Sequence, residues 1–121
     1  MKIFVLEDNI AIAQLVTLLL KRRGHEAEAF YNVKTFLNAT DTYTPDLFIL
    51  DVMLPDGNGL EIAREFKQTE ILKQVPILIM SANVDCAEES KTLEMVDYIA
   101  KPFDINDFNS RLENLLTLAK S

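Results

Sequence analysis

One stretch constrains this chain more than any other: Leu47-Phe48-Ile49-Leu50-Asp51-Val52-Met53-Leu54-Pro55-Asp56-Gly57. Four apolar residues run straight into a carboxylate, and a proline and a glycine follow almost at once. Such a run reads as a strand buried on both faces, as in a parallel sheet. Pro55 and Gly57 then force a turn. Asp51 is thereby placed at the carboxyl end of a central strand, the edge at which open α/β sheets bind ligands. A carboxylate there is either a structural hydrogen-bond acceptor or a working group, and the rest of the chain has to decide between them.

Taken in order, the chain alternates strand and helix five times. Lys2 to Leu6 is a short apolar strand that leads into Glu7-Asp8-Asn9. Ile12, Leu15, Val16, Leu19 and Leu20 recur at helical spacing, with Lys21, Arg22 and Arg23 at the favourable end and Gly24 as the stop. His25 to Phe30 reads as an outer strand, Asn32 caps a short helix through Leu37, and Thr40 to Pro45 is loop. After the central strand, Asn58 and Glu61 resemble a capping box for a helix carrying Leu60, Ile62, Ala63 and Phe66. Val75 to Met80 is a further buried strand, with Pro76 tolerated near its start. Asp85 and Glu88 start a fourth helix reaching about Leu93, and Val96 to Ala100 is the fifth strand. Asp104 caps a last helix with the one-sided stripe Ile105, Phe108, Leu112, Leu115 and Leu116. This alternation implies a parallel sheet with helices on both faces, joined by right-handed crossovers. No repeat or linker divides residues 1–121, which read as one domain, either alone or cut from something larger.

The 121 residues, 49% hydrophobic and 26% charged, suit a folded domain with one core. The net charge of −7 argues against this domain gripping nucleic acid or an anionic membrane by itself, since either needs a basic face. The one cysteine, Cys86, excludes an internal disulfide, and its acidic surroundings would not activate the thiol. The apolar start is too short for a signal peptide, and no run approaches membrane-spanning length, so a cytoplasmic location is expected.

Four of the five strand ends carry chemically apt residues: Glu7 and Asp8, then Asp51, then Ser81, then Lys101. A parallel sheet brings such ends to one edge. Carboxylates gathered there repel one another unless a cation joins them, and oxygen ligands suit Mg²⁺. No second histidine or cysteine supports zinc. A lysine holds a negative group as a point charge, a serine donates to an oxyanion, and a carboxylate nucleophile can form an aspartyl phosphate. Each residue also has an ordinary reading. Glu7 and Asp8 serve as charges at a helix start, Lys101 as a solvated lysine, Tyr98 as strand packing, and Ser81 as a partner for loop backbone. It is their convergence that favours chemistry. His25 and the Arg22-Arg23 pair read as surface.

The sequence resembles a response-regulator receiver domain of two-component signalling. The resemblance rests on Glu7-Asp8, on Leu50 to Gly57, on Ser81-Ala82 and on Tyr98-Ile99-Ala100-Lys101-Pro102-Phe103, which cover nearly the whole chain in order. It implies a (βα)5 flavodoxin-like, doubly wound sheet with strand order 2-1-3-4-5. It implies that Asp51 is the phosphoacceptor, and that Mg²⁺ is held by Asp8, Asp51 and the Met53 backbone carbonyl, with Glu7 acting mainly through water. It implies that Lys101 pairs with the phosphoryl group, that Ser81 and Tyr98 form the switch, and that the Lys101-Pro102 bond is cis. The implied partner is a sensor histidine kinase or phosphotransfer protein, facing the first helix near Ile10, Ala11 and Gln14. The last helix, with the fourth helix and fifth strand, is the implied output face, used by a second copy or by an effector domain beyond Ser121.

Two departures stand out. Leu93-Glu94-Met95-Val96-Asp97 has no glycine and about two residues fewer than the family pattern, which shortens the fourth helix or its exit. Ser81 replaces the commoner threonine. Met53 and Asn83 flank the pocket, and neither suits activation of water, so moderate to slow hydrolysis of a phosphoryl group is expected. Three rival readings remain: a degenerate receiver that only docks, an aspartate-nucleophile phosphatase, and a flavin carrier. The phosphatase wants a second acid where Met53 stands. The flavin carrier wants a hydroxyl-rich loop where Glu7-Asp8-Asn9 stands.

Overall fold

Alternating apolar residues on five short strands need cover on both faces, and the chain supplies it. A computed structural model describes residues 1–82 and 85–120, with the side chains of all but 85–87, 119 and 120. In order the elements are β1 (Lys2–Leu6), α1 (Ile10–Arg22), β2 (Glu26–Phe30), α2 (Val33–Thr42), β3 (Leu47–Asp51), β4 (Met53–Leu54) and β5 (Gly57–Asn58). Then follow α3 (Gly59–Lys67), β6 (Ile77–Ser81), α4 (Asp85–Ser90), β7 (Val96–Ala100) and α5 (Ile105–Lys120). The main sheet is parallel in the order β2-β1-β3-β6-β7. With the two-residue strands β4 and β5 set aside as a separate antiparallel hairpin, this is the expected 2-1-3-4-5 order.

The period of two along each strand sorts side chains into two cores. Ile3 and Val5, Leu47 and Ile49, and Leu78 and Met80 face Val16, Leu19 and Leu20 of α1 and Phe108, Leu112, Leu115 and Leu116 of α5. Phe4 and Leu6, Phe48 and Leu50, and Ile77 and Ile79 face Phe36 of α2 and Leu60, Ile62, Ala63 and Phe66 of α3. This second core holds an aromatic cluster, with Phe48 5.6 Å from Phe36 and 4.8 Å from Phe66 between ring centroids. Such pairs add about 0.5–1.5 kcal/mol each beyond their area. Every residue of the central strand β3 and of its neighbour β6 is buried.

Several boundaries differ from those read off the sequence. Helix α2 continues five residues past Leu37 to Thr42. The Thr40 and Thr42 hydroxyls bond back to the carbonyls of Leu37 and Ala39 at 2.8 and 3.3 Å, and Ala39 packs on the core, so polar residues sit comfortably in the helix. Strand β6 starts at Ile77 rather than Val75, although the Pro76 carbonyl still accepts the Phe48 N–H at 3.0 Å. Helix α4 stops at Ser90 instead of near Leu93, and the chain leaves it through tight turns. His25 is half-buried rather than on the surface, with Nδ1 3.5 Å from the amino terminus.

The shortened exit of α4 has a backbone consequence. Met95 takes φ of +59°, the left-handed region, and from there its carbonyl accepts the Ile77 N–H at 2.9 Å. A side chain in that region costs on the order of 1–2 kcal/mol, which glycine avoids. Met95→Gly should therefore raise stability by roughly 0.5–1 kcal/mol, read as a higher urea midpoint at unchanged slope. A fall in the midpoint would mean that packing of the half-buried Met95 side chain outweighs the strain.

Candidate functional site

The carboxyl ends of β1, β3, β6 and β7 lie side by side in the sheet, and they bring Glu7, Asp8, Asp51, Ser81 and Lys101 to one edge. Glu7 extends β1 by one more bond, its N–H reaching the Phe30 carbonyl at 3.0 Å, and it is wholly buried. Asp8 is exposed and Asp51 nearly buried. One carboxylate oxygen from each of the three lies within 4.8 Å of the others.

Lys101 stands as the cation within this cluster. Its ammonium donates to Glu7 Oε1 and lies 3.3 Å from Asp51 Oδ2. The second Glu7 oxygen accepts the Asn9 N–H at 3.1 Å. Three carboxylates, one fully desolvated, offer hard oxygen ligands of the type Mg²⁺ takes, so the residues present fit such an ion. Glu7 is also bound directly by Lys101.

Ser81 is buried at the end of β6, and its carbonyl is a junction. It accepts the Lys101 N–H at 2.9 Å and the Tyr98 hydroxyl at 3.2 Å. The ring of half-buried Tyr98 packs on the α2–α3 side of the sheet. The Lys101-Pro102 peptide bond is cis. Met53 is 74% exposed beside Asp51, whereas Asn83 and the Cys86 side chain lie outside the described residues.

Two residues of this region were not singled out as functional from sequence. Gly59 opens α3 directly beneath the end of β3, and a Cβ there would sit 1.9 Å from the Asp51 carbonyl oxygen. The available signal was a glycine at a helix start already capped by Asn58, where glycine serves no turn. Asp56 looked like a turn residue, yet its two oxygens accept the N–H groups of Val33 and Lys34 at 2.9 and 3.2 Å. The Val33 bond above all holds its carboxyl below the ordinary value, against a smaller opposing effect of desolvation. Those partners are 23 and 22 residues away, beyond any local pattern.

A family model for the response regulator receiver domain matches residues 3–113. The chain belongs to that family. This receiver is similar to the response regulator ArlR of Staphylococcus saprophyticus, 35% identical over 95% of this chain and 52% of that protein. It is similar also to the alkaline phosphatase synthesis transcriptional regulatory protein PhoP of Bacillus subtilis, 32% identical over 95% of this chain and 48% of that one. The receiver thus spans about half the length of these relatives. Among solved structures, NtrX from Brucella abortus matches with a TM-score of 0.87 and 27% identity over 98% of this chain and 27% of that chain. The chemotaxis response regulator CheY4 of Vibrio cholerae shares the fold, with a TM-score of 0.84 at 24% identity over 94% of this chain and 97% of that chain. A receiver is a signalling domain of two-component systems, and the phosphatase and flavin-carrier readings are left without support.

Proposed function

We propose that this receiver accepts a phosphoryl group on Asp51 from a sensor histidine kinase or phosphotransfer protein, with Mg²⁺ held by Asp8, Asp51 and the Met53 carbonyl and steadied by Glu7. The observation that carries the reading is the convergence of three carboxylates within 4.8 Å, one of them 3.3 Å from the Lys101 ammonium. An Asp51 oxygen attacks phosphorus, the bond from phosphorus to the donor's nitrogen or oxygen breaks, and the donor leaves with the electron pair. Mg²⁺, when bound, neutralises charge on the group in transit. Lys101 turns from Glu7 toward the new phosphoryl oxygens, and the Ser81 hydroxyl donates to them.

The added charge then biases a two-state element. Because the Ser81 carbonyl is bonded to the Tyr98 hydroxyl, a shift of Ser81 is felt at β7. Driving a switch from 1:99 to 99:1 takes about 5.5 kcal/mol of differential interaction. The output face is β7 with α4 and α5, met by a second copy or by an effector domain following Ser121. The kinase-facing patch is the start of α1, where Ile10 is 59% exposed beside Ala11 and Gln14. Ile12, Leu15, Pro102 and Phe103 line a cavity of about 160 Å³ next to Lys101 that suits an apolar contact from that partner. Among the described residues no helix is long and apolar enough to cross a membrane. The proposed action, with a kinase or phosphotransfer protein as donor, belongs to the cytoplasm.

The test is intact mass after incubation with acetyl phosphate and Mg²⁺. The wild-type chain should gain one phosphoryl group only when Mg²⁺ is present, and Asp51→Asn should gain none while keeping its fold. A phosphorylated Asp51→Asn chain would move the acceptor elsewhere. No gain in the wild type, with a cognate kinase failing too, would return Asp51 to a structural acid and favour a docking module that works without phosphorylation.

A further inference from the structure

We infer that Asp56 is a positioning residue for the metal end of the site: by clasping the amino end of α2 it holds the β4–β5 hairpin, and with it the Met53 carbonyl, in place. The inference rests on the proposed Mg²⁺ reading. The hairpin has two residues on each side, pairing Met53 with Asn58 and Leu54 with Gly57. A hairpin that small does not stand alone in water, so whatever anchors it decides where Met53 points.

On its exit side the anchor is α3. The Asn58 side chain accepts the Leu60 and Glu61 N–H groups at 2.8 and 3.2 Å, and the Gly59 N–H bonds to the Val52 carbonyl at 2.9 Å. On its tip side the anchor is α2. Asp56 accepts from Val33 and Lys34, one oxygen to each. Gly57 lies flush on the same helix, since a Cβ there would come within 2.9 Å of Val33 Cγ2. Helix α2 does not need Asp56 as its local cap, because Asn32 already accepts the Thr35 N–H at 2.9 Å. Asp56 adds a carboxylate from a distant segment to otherwise unpaired donors at a positive helix end, an arrangement that favours a negative group. Its effect is to tie the segment that begins two residues after Asp51 to an element outside the site. Groups that orient metal ligands in this way change affinity when they are removed.

The experiment is a MgCl2 titration at constant ionic strength, followed by the backbone amide resonances of residues 7, 8 and 51–59, with thermal unfolding run alongside. Asp56→Ala should weaken Mg²⁺ binding roughly tenfold, the lower end of what losing a group that orients a metal ligand costs. Asp56→Asn loses the same charge but keeps one acceptor oxygen, so its Kd should fall between wild type and Ala. Asn32→Ala removes the other acceptor at the same helix end, and it should lower the Tm while leaving the Mg²⁺ Kd where it was. Equal weakening by Asp56→Asn and Asp56→Ala would reduce the effect to lost charge and overturn the inference, as would an Asp56→Ala chain that binds like wild type. Weakening by Asn32→Ala as large as that by Asp56→Ala would assign the effect to α2 stability and also overturn it. A wild-type chain with no Mg²⁺-dependent shifts would sink the metal reading itself, a result distinct from the others.

Discussion

Gly59→Ala is expected to lower stability by about 3 kcal/mol, at the upper end of what overpacking costs. The added Cβ would lie 1.9 Å from the Asp51 carbonyl oxygen, 2.9 Å from its carbon and 3.4 Å from Leu50 Cβ. The first two are backbone atoms at the end of a fully buried strand, so no side chain can swing aside. Either α3 backs away, losing the Gly59 N–H bond to the Val52 carbonyl, or the end of β3 moves and carries the Asp51 carboxylate with it. Asn58→Ala is the comparison. It removes the cap of the same helix at a cost near 1 kcal/mol and leaves Asp51 where it is. Urea unfolding followed by circular dichroism checks both. A loss below about 1 kcal/mol for Gly59→Ala would mean that the start of α3 yields freely and that the close approach to Asp51 is not a constraint.

The second large effect is electrostatic. Lys101→Met should cost about 3 kcal/mol in metal-free buffer, because truncating one partner of a buried pair strands the other. Glu7 is wholly buried and, among the described residues, keeps only the Asn9 N–H once the ammonium is gone. Asp51 and Asp8 still press on it from within 4.8 Å. Mg²⁺ should then recover more stability in the variant than in the wild type, since in the wild type the lysine occupies the same carboxylates and must be displaced. Thermal unfolding with and without MgCl2 reads both effects. A metal-free loss under about 1 kcal/mol would show that water reaches Glu7 and that the lysine is not its essential counter-charge.

The fold was legible because hydrophobic period and punctuation agree along the chain. The Leu47 to Leu50 run, the α5 stripe, and Asn9, Asn32, Asn58 and Asp104 at helix starts are all local signals. Each of these four caps accepts a backbone N–H of its own helix. What was misjudged also has a local look. Thr40 to Thr42 read as loop, yet Thr40 and Thr42 satisfy their hydroxyls within the helix while Ala39 packs on the core. Tertiary burial overrides weak propensity there. The two-residue hairpin has too few residues for any period to register.

The sequence by itself determined the parallel α/β alternation, the placing of Glu7, Asp8, Asp51, Ser81 and Lys101 at strand ends, and therefore their meeting at one edge. Strand period and crossover handedness leave little choice about that. Only the tertiary structure decided which groups touch. It joins Lys101 to Glu7 as well as to Asp51, makes the Ser81 carbonyl the junction between Lys101 and Tyr98, sets Gly59 against the Asp51 backbone, and clasps Asp56 to α2. Apart from Gly59, which follows Asp51 closely in the chain, each of these joins segments far enough apart that no spacing records them. They follow from how the packed layers bring loops within hydrogen-bond reach, which is a property of the assembled sheet and helices rather than of any one stretch.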